Sequence, residues 1–302
     1  MTTSARDVGV AEPELAALPA PRRGPEFLYF ARRNVKLLIG VSIVGLMLLL
    51  AIIGPFLVPG DPNAYVGPSA EAPSSAYWFG TTTFGQDVFA QFVHGLRNTF
   101  LVGALAGGIA AAIGMVVGFT AGYRGGVVDE GLSAFTNVIL VIPTLAVMLI
   151  VAAYLTVRGV VVEALLIGFT SWPWAARAIR AQTFSLTARE FVDVARLSGM
   201  PSRRIIFREI APNMSSYLFM TFILLFGGAV LIAATLDFIG LGPTQGTSLG
   251  LMMNNAVLWS ALQLGVWWWF VPPGLGIMAI VGGLYIMNVG LDEVFNPKLR
   301  ET

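Results

Sequence analysis

Residues 37–60, 98–123, 131–157, 211–236 and 238–291 of this sequence contain no Asp, Glu, Lys or Arg. A helix needs about 20 apolar residues to cross the hydrocarbon core of a bilayer. Each stretch can therefore supply a crossing. Residues 159–176 offer one more, with Glu163 near its start. Backbone groups inside lipid must be satisfied within the segment itself, which restricts such spans to helices or closed barrels. Apolar runs this long, without two-residue alternation, predict an all-α membrane protein. The 12% share of charged residues against 56% hydrophobic agrees. The last stretch opens on a polar, turn-rich segment from Gly240 to Ser248, then carries Asn254, Asn255, Gln263 and the run Trp267, Trp268, Trp269. Tryptophan prefers the water–lipid boundary. That part reads as interfacial, leaving one span at about 270–290 and six spans in all.

Charge orients these spans. Of the 18 Lys and Arg, only Arg97 and Arg158 fall in loops on one side. The rest cluster before the first span, at Arg124, between the fourth and fifth spans, and at Lys298 and Arg300. The positive-inside rule then places both termini in the cytoplasm. Residues 1–36 form a cytoplasmic tail, whose first 25 are rich in Ala, Pro and acidic residues and lack apolar periodicity. Residues 37–58 form the first transmembrane helix and 59–97 an extracytoplasmic loop. Pro59, Pro62, Pro68 and Pro73 forbid long helix in the first half of that loop. In its second half Val88, Phe89, Phe92, Val93 and Leu96 share a helical face, predicting a short surface helix before span two.

Several chemistries are excluded. There is no cysteine, so no disulfide, thiolate site or cysteine nucleophile. A single histidine, His94, cannot build a His-rich metal site, and no Ser–Asp partnership accompanies it. The only lysines, Lys36 and Lys298, lie outside any Gly-Lys-Ser/Thr phosphate loop. No cofactor and no metal are expected, nor is nucleic acid a partner. The N-terminus does not read as a cleavable signal peptide.

The longest cationic cluster frames a helical hairpin. Thr187-x-x-Glu190 has the spacing of a capping box. Phe191, Val194, Ala195 and Ser198 then recur at helical spacing, with Arg189, Asp193 and Arg196 around them. Gly199 suits the left-handed position that stops a helix, and Pro201 the first turn of a second helix, which Pro212 ends or kinks. Spacing alone fits either a cover over neighbouring helix ends or a docking surface for a soluble protein.

Glu190, Ala195, Gly199, Ile210 and Pro212 resemble the EAA loop of ATP-binding-cassette (ABC) importer permeases, with Val194 in place of the first of the usual two alanines. Phe79-Gly80-Thr81, Gln86-Asp87-Val88 and Gly95-x-Arg97 resemble the signature preceding span two of C-type dipeptide/oligopeptide permeases. Ala121-Gly-Tyr-Arg-Gly-Gly-Val-Val-Asp129, Asp237-Phe-Ile-Gly-Leu-Gly242 and the Asp292–Arg300 tail resemble further motifs of that family. The resemblance covers about 37–300 and implies a type I ABC importer permease fold. In that case 98–302 is the permease core, and the EAA loop lies at 187–212. Glu190, Phe191, Val194, Ala195, Arg196, Leu197, Ser198 and Gly199 would couple it to the ATPase. It implies a multi-pass protein of a prokaryotic plasma membrane that is not itself an enzyme. The partners implied are a homologous permease, two ABC ATPase subunits that hydrolyse the ATP, and an extracytoplasmic substrate-binding protein. Short peptides are the expected cargo, with oligosaccharides or nickel as alternatives. Thr82 or Thr83, Gln86, Thr136-Asn137 and Asp237 depart from the family pattern and bear on that cargo. A different class, a self-contained ion-coupled transporter, would need paired ionisable groups deep in the spans.

Asp237 and Glu163 fall near the outer ends of spans five and four, where they are expected to stay hydrated. Gly114, Gly118 and Gly122 form a close-packing ridge toward a partner or a neighbouring span. Met115, Phe119, Asn137, Met148, Thr221 and Phe226 are possible path-facing residues.

Overall fold

The computed structural model describes residues 33–244 and 246–295. Expectations for the first 32 residues and for Lys298 and Arg300 lie outside that range. The described residues are helical, and only two isolated bridges, Tyr65 with Gln86 and Thr81 with Asp87, pair extended backbone. Helix α1 is Val35–Leu57, capped by Asn34, whose side chain accepts from the Leu37 amide at 2.8 Å. Helix α2 is Val88–Arg124, α3 Gly126–Val141, α4 Thr144–Tyr154 and α5 Val160–Thr187. The hairpin follows as α6, Glu190–Leu197, and α7, Ser202–Ile205, then a π turn at Ile206–Ile210 and the short α8, Ala211–Asn213. Helix α9 is Ser215–Phe238, α10 Leu249–Leu258 and α11 Val271–Phe295, the last preceded by a 3-10 turn at Trp267–Trp269.

Four helical segments are long and apolar enough to cross a membrane: Val35–Leu57, Val88–Arg124, Ser215–Phe238 and Trp267–Phe295. Helices α3 and α4 make a fifth if counted as one span bent by 73°. Pro143 causes the bend. It has no N–H to donate and drives Ile142 out of helical geometry, to ψ 128°. Helix α5 has 28 residues, ample length, but carries Glu163, Arg177 and Arg180.

The expected surface helix before span two is instead the first turns of α2. That helix runs unbroken for 37 residues, about 55 Å at 1.5 Å per residue. Asp87 caps it, accepting from the Phe89 amide at 2.8 Å and the Ala90 amide at 3.4 Å. The expected apolar face is correct, since Val88, Phe89, Phe92, Val93 and Leu96 are all buried. No breaker separates it from the span. Gly95 serves close approach, because a Cβ there would lie 3.1 Å from the Ser248 carbonyl carbon.

The glycine ridge packs against this chain's own α5. A Cβ at Gly114 would lie 2.9 Å from that of Ala175, one at Gly118 2.8 Å from the Ala176 carbonyl oxygen, and one at Gly122 2.6 Å from that of Arg180. The two helices therefore approach backbone to backbone over three turns, as small residues allow in lipid.

The loop between α1 and α2 folds onto the tryptophan segment. The Trp268 indole donates to the Thr81 carbonyl at 3.0 Å, and the ring of Phe84 meets Trp259 edge-on at 4.7 Å. Trp269 is buried and only Trp267 stays half exposed. Most of the run is thus a seat for the loop rather than a lipid-boundary anchor. Arg158 donates to the Gly240 carbonyl at 3.2 Å, and Asn98 to that of Thr247 at 2.6 Å, so these connections gather at one end. The Lys36–Glu293 ion pair and the hairpin lie at the other.

Two expectations are overturned. Glu163 and Asp237 are 8% and 2% exposed and do not remain hydrated. The segment after α9 folds back over them: Ser248 donates its hydroxyl to Asp237, and a Cβ at Gly242 would collide with that carboxylate. Among the described residues, neither Glu163 oxygen nor Asp237 Oδ1 has a hydrogen-bond partner. Among the path-facing candidates, Phe119, Met148 and Thr221 are buried inside the protomer by packing between its own helices. Met115 and Phe226 are half-buried, and Asn137 is exposed.

Candidate functional site

The hairpin hangs from the end of the tightest helix pair, α2 with α5, where both helices reach their C-terminal turns. Helix α5 continues through Thr187, whose hydroxyl donates to the Phe184 carbonyl at 2.7 Å. That bond replaces the expected capping box, because a Thr inside a helix satisfies its hydroxyl on the preceding turn. Ala188 and Arg189 alone link α5 to α6, and no side chain caps α6. Glu190 is its exposed first residue.

Val192 and Ala195 anchor α6. They are 0% and 6% exposed and pack with Ile205, Ile210 and Met214 from the second arm and with Phe119 and Ile179 from α2 and α5. Phe191 is half-buried beside them. The inward face is thus Phe191, Val192 and Ala195, one step round from the expected Phe191, Val194, Ala195 and Ser198. Val194 and Leu197 point away, 62% and 89% exposed. Ser198 is also exposed, its hydroxyl donating to the Val194 carbonyl at 2.8 Å. Arg196 pairs with Asp193 at 3.1 Å and lies 5.5 Å from the centre of the Tyr123 ring, tying α6 to the last turn of α2.

Gly199 stops the helix as the sequence implies. At φ +71° its amide donates to the Arg196 carbonyl at 3.0 Å, and the Met200 amide to that of Ala195 at 3.1 Å. These are the two bonds of a Schellman stop. Pro212 does not end the second arm. It stands at the start of α8, where its missing N–H costs nothing, and the chain turns at Met214 before α9.

The outcome is a short, rigid helix with an anchored face and a projecting face. On the projecting face two bare aliphatic side chains sit among Glu190, Asp193 and Arg196. Such a surface can fill a shallow apolar cleft rimmed by charge. Sequence periodicity put Val194 inward because α6 is too short, at eight residues, for two neighbouring faces to be told apart.

The sequence reading also missed the ties beneath the hairpin. Arg180 makes a forked ion pair with Asp129, which also accepts from Ser133 at 3.1 Å. Arg177 donates to Asn137 Oδ1 at 2.8 Å. Arginines three apart on one helix were the available signal, but their partners lie on α3, some 40 to 51 positions away in sequence.

Residues 114–301 match the family described as binding-protein-dependent transport system inner membrane component, a region that includes the hairpin and α9 to α11. The chain belongs to that family. This permease is similar over nearly its whole length to curated relatives. It is 31% identical to the dipeptide transport system permease protein DppC of Escherichia coli K12, over 97% of this chain and 99% of the relative. It is 30% identical to a protein of the same name from Alkalihalophilus pseudofirmus, over 89% and 88%. The oligopeptide transport system permease protein OppC of Bacillus subtilis is 29% identical over 89% and 88%. The all-helical architecture with several apolar spans fits a multi-pass membrane permease.

Proposed function

We propose that this permease imports short peptides as one membrane subunit of an ABC importer, and that its hairpin receives the motion of an ATPase subunit. The observation that carries the coupling role is the exposure of Val194 and Leu197 on a helix otherwise fixed by Val192, Ala195 and the Gly199 stop. Glu190, Phe191, Val194, Ala195, Arg196, Leu197, Ser198 and Gly199 together form the coupling element. Phe191 and Ala195 root it, and Val194 and Leu197 enter the ATPase. Burying a projecting leucine against a partner is worth about 1.5–3 kcal/mol. A homologous permease, two ATPases and an extracytoplasmic binding protein complete the assembly. Both termini are cytoplasmic, and α5 is the fourth of six spans. The names of the relatives favour peptide as cargo.

Replacing Leu197 by Asp tests the coupling role. The side chain is 89% exposed, so folding and membrane insertion should persist, while the ATPase subunits should no longer co-purify with the permease. Full retention of both ATPases by Leu197→Asp would sink the docking role. The ion-coupled alternative has one observation in its favour, the buried Glu163 beside Asp237. That pair lies at the outer ends of α5 and α9, whereas coupling sites of such transporters lie near the midplane.

A further inference from the structure

A cavity of about 330 Å³ opens between α2, α3 and α5, near the inner end of the spans. Its walls combine apolar residues of α2 with Ser133, Thr136, Asn137, Arg177 and Arg180. The polar residues of α3 recur at helical spacing on the side that meets α5, while Phe135, Val138 and Val141 on its other side are exposed apolar residues. Polar and charged groups on a membrane element face water-filled cavities and mark solute paths.

The two arginines are not equivalent. Arg180 is engaged on both carboxylate oxygens of Asp129. Ser133 also gives its hydroxyl proton to Asp129, and Thr136 gives its own to the Leu132 carbonyl at 2.7 Å. Arg177 meets only the neutral Asn137 Oδ1, through one of its five N–H groups. That bond fixes the orientation of the carboxamide, so Asn137 Nδ2 presents two further donors with no protein partner among the described residues. Among the described residues, the cavity therefore holds one cation without an acidic partner and an adjacent amide donor. Arg180 keeps N–H groups of its own, but its charge is met by Asp129, so the donors next to an unmet charge are those of Arg177 and Asn137.

We propose that Arg177 and Asn137 bind the carboxylate of the transported solute, the C-terminal carboxylate of a short peptide, as it passes the inner part of the path. A guanidinium takes a carboxylate in a forked geometry that an ammonium or a hydroxyl cannot reproduce. The Asn137 amide adds a donor beside it. Drug-sized ligands occupy pockets of about 300–1,000 Å³, so the cavity is large enough for the end of a dipeptide. The polar stripe on α3 favours a hydrated solute over a lipid, whose chains would meet Ser133, Thr136 and Asn137. This inference rests on the peptide-import reading above.

The test uses the assembled importer in nanodiscs of zwitterionic lipid, without the binding protein. Binding of a labelled dipeptide is compared with binding of the same dipeptide amidated at its C-terminus. The free acid should bind at least tenfold more tightly. Asn137→Asp, which gives Arg177 an internal counter-ion and keeps the side-chain shape, should abolish that preference, and Arg177→Gln should do the same. Equal affinity for acid and amide in the unaltered complex would overturn the proposal, as would an unchanged preference in Asn137→Asp. Displacement of the acid by anionic lipid added to the discs would assign the site to a lipid headgroup and also overturn it. Failure of the unaltered complex, supplied with its binding protein, to import any peptide would instead refute the underlying function. Peptide import without carboxylate preference would refute this inference alone.

Discussion

Gly199 shows how much of the hairpin rests on one backbone angle. Its φ of +71° is one that L side chains adopt at a cost, yet a Cβ there would meet nothing within 4 Å. The penalty for a substitution is therefore conformational and not steric, about 1–2 kcal/mol for a residue with a Cβ. Gly199→Val adds β-branching and should cost more, releasing the Met200–Ala195 bond and letting the tip of α6 swing. The expected result is permease that inserts and assembles normally while substrate-stimulated ATP turnover falls severalfold. Unchanged coupled turnover would reduce the loop to a structural cover. Glu190 behaves differently from its sequence reading. The capping box is not formed, so Glu190→Ala should leave the melting behaviour of the purified permease within about 0.5 kcal/mol of the parent, as for an ordinary surface change. A loss of the ~1 kcal/mol typical of a broken cap, seen as a lower midpoint, would restore the cap.

At the scale of elements, what the sequence made legible depends on which physical signal each element carries. The apolar face of the first turns of α2 was readable because five apolar residues recur at helical spacing. Its fusion with the span was not, because Arg97 bounds the charge-free run that begins at residue 98 and reads as a boundary, although the helix runs through it. The bend at Pro143 follows from local stereochemistry, yet a charge-free run reads through it as one span. The hairpin's position and its glycine stop were legible, whereas the inward face of α6 was set by Ile205, Ile210 and Phe119 in other elements. The burial of Glu163 and Asp237 comes from a loop folding back after α9, which no periodicity encodes. The glycine ridge was visible as spacing, and only packing shows that it meets α5. That contact makes a prediction. Gly122→Val places a branched side chain where a Cβ would already lie 2.6 Å from the Arg180 carbonyl oxygen. Overpacking of this kind costs about 1–3 kcal/mol. The melting temperature of the purified permease should drop, and the ion pair of Arg180 with Asp129 should be displaced with it. Gly108→Ala is the control, since nothing lies within 4 Å of its Cβ position, and it should leave the melting temperature unchanged or slightly raised. Equal tolerance of both substitutions would show that α2 and α5 are not locked backbone to backbone.

Over the whole molecule the two ends differ in chemistry. At one end the loop between α1 and α2, the tryptophan segment and the connection after α9 close over one another through Trp268, Arg158 and Asn98. The other end carries Arg124, Arg177, Arg180 and the hairpin arginines as well as the Lys36–Glu293 pair. Segregation of cations to one end is what the positive-inside rule requires of a chain whose hairpin faces the cytoplasm. It also fits a division of labour in which one end receives solute and the other receives the motion of an ATPase. The chain has no cysteine, so single cysteines can report the side of each loop without background. Ser69, in the external loop, and Ser202, at the start of α7, are both exposed and can be replaced with little disturbance. In intact cells or sealed right-side-out vesicles, an impermeant thiol reagent should label Ser69→Cys at once, and Ser202→Cys only after the membrane is opened. An even number of crossings separates Ser202 from the N-terminal side if α3 with α4 and α5 both span. Labelling of Ser202→Cys from outside would therefore remove either the bent α3–α4 pair or α5 from the set of spans, reverse the assignment of the last two, and place the hairpin where no ATPase could reach it.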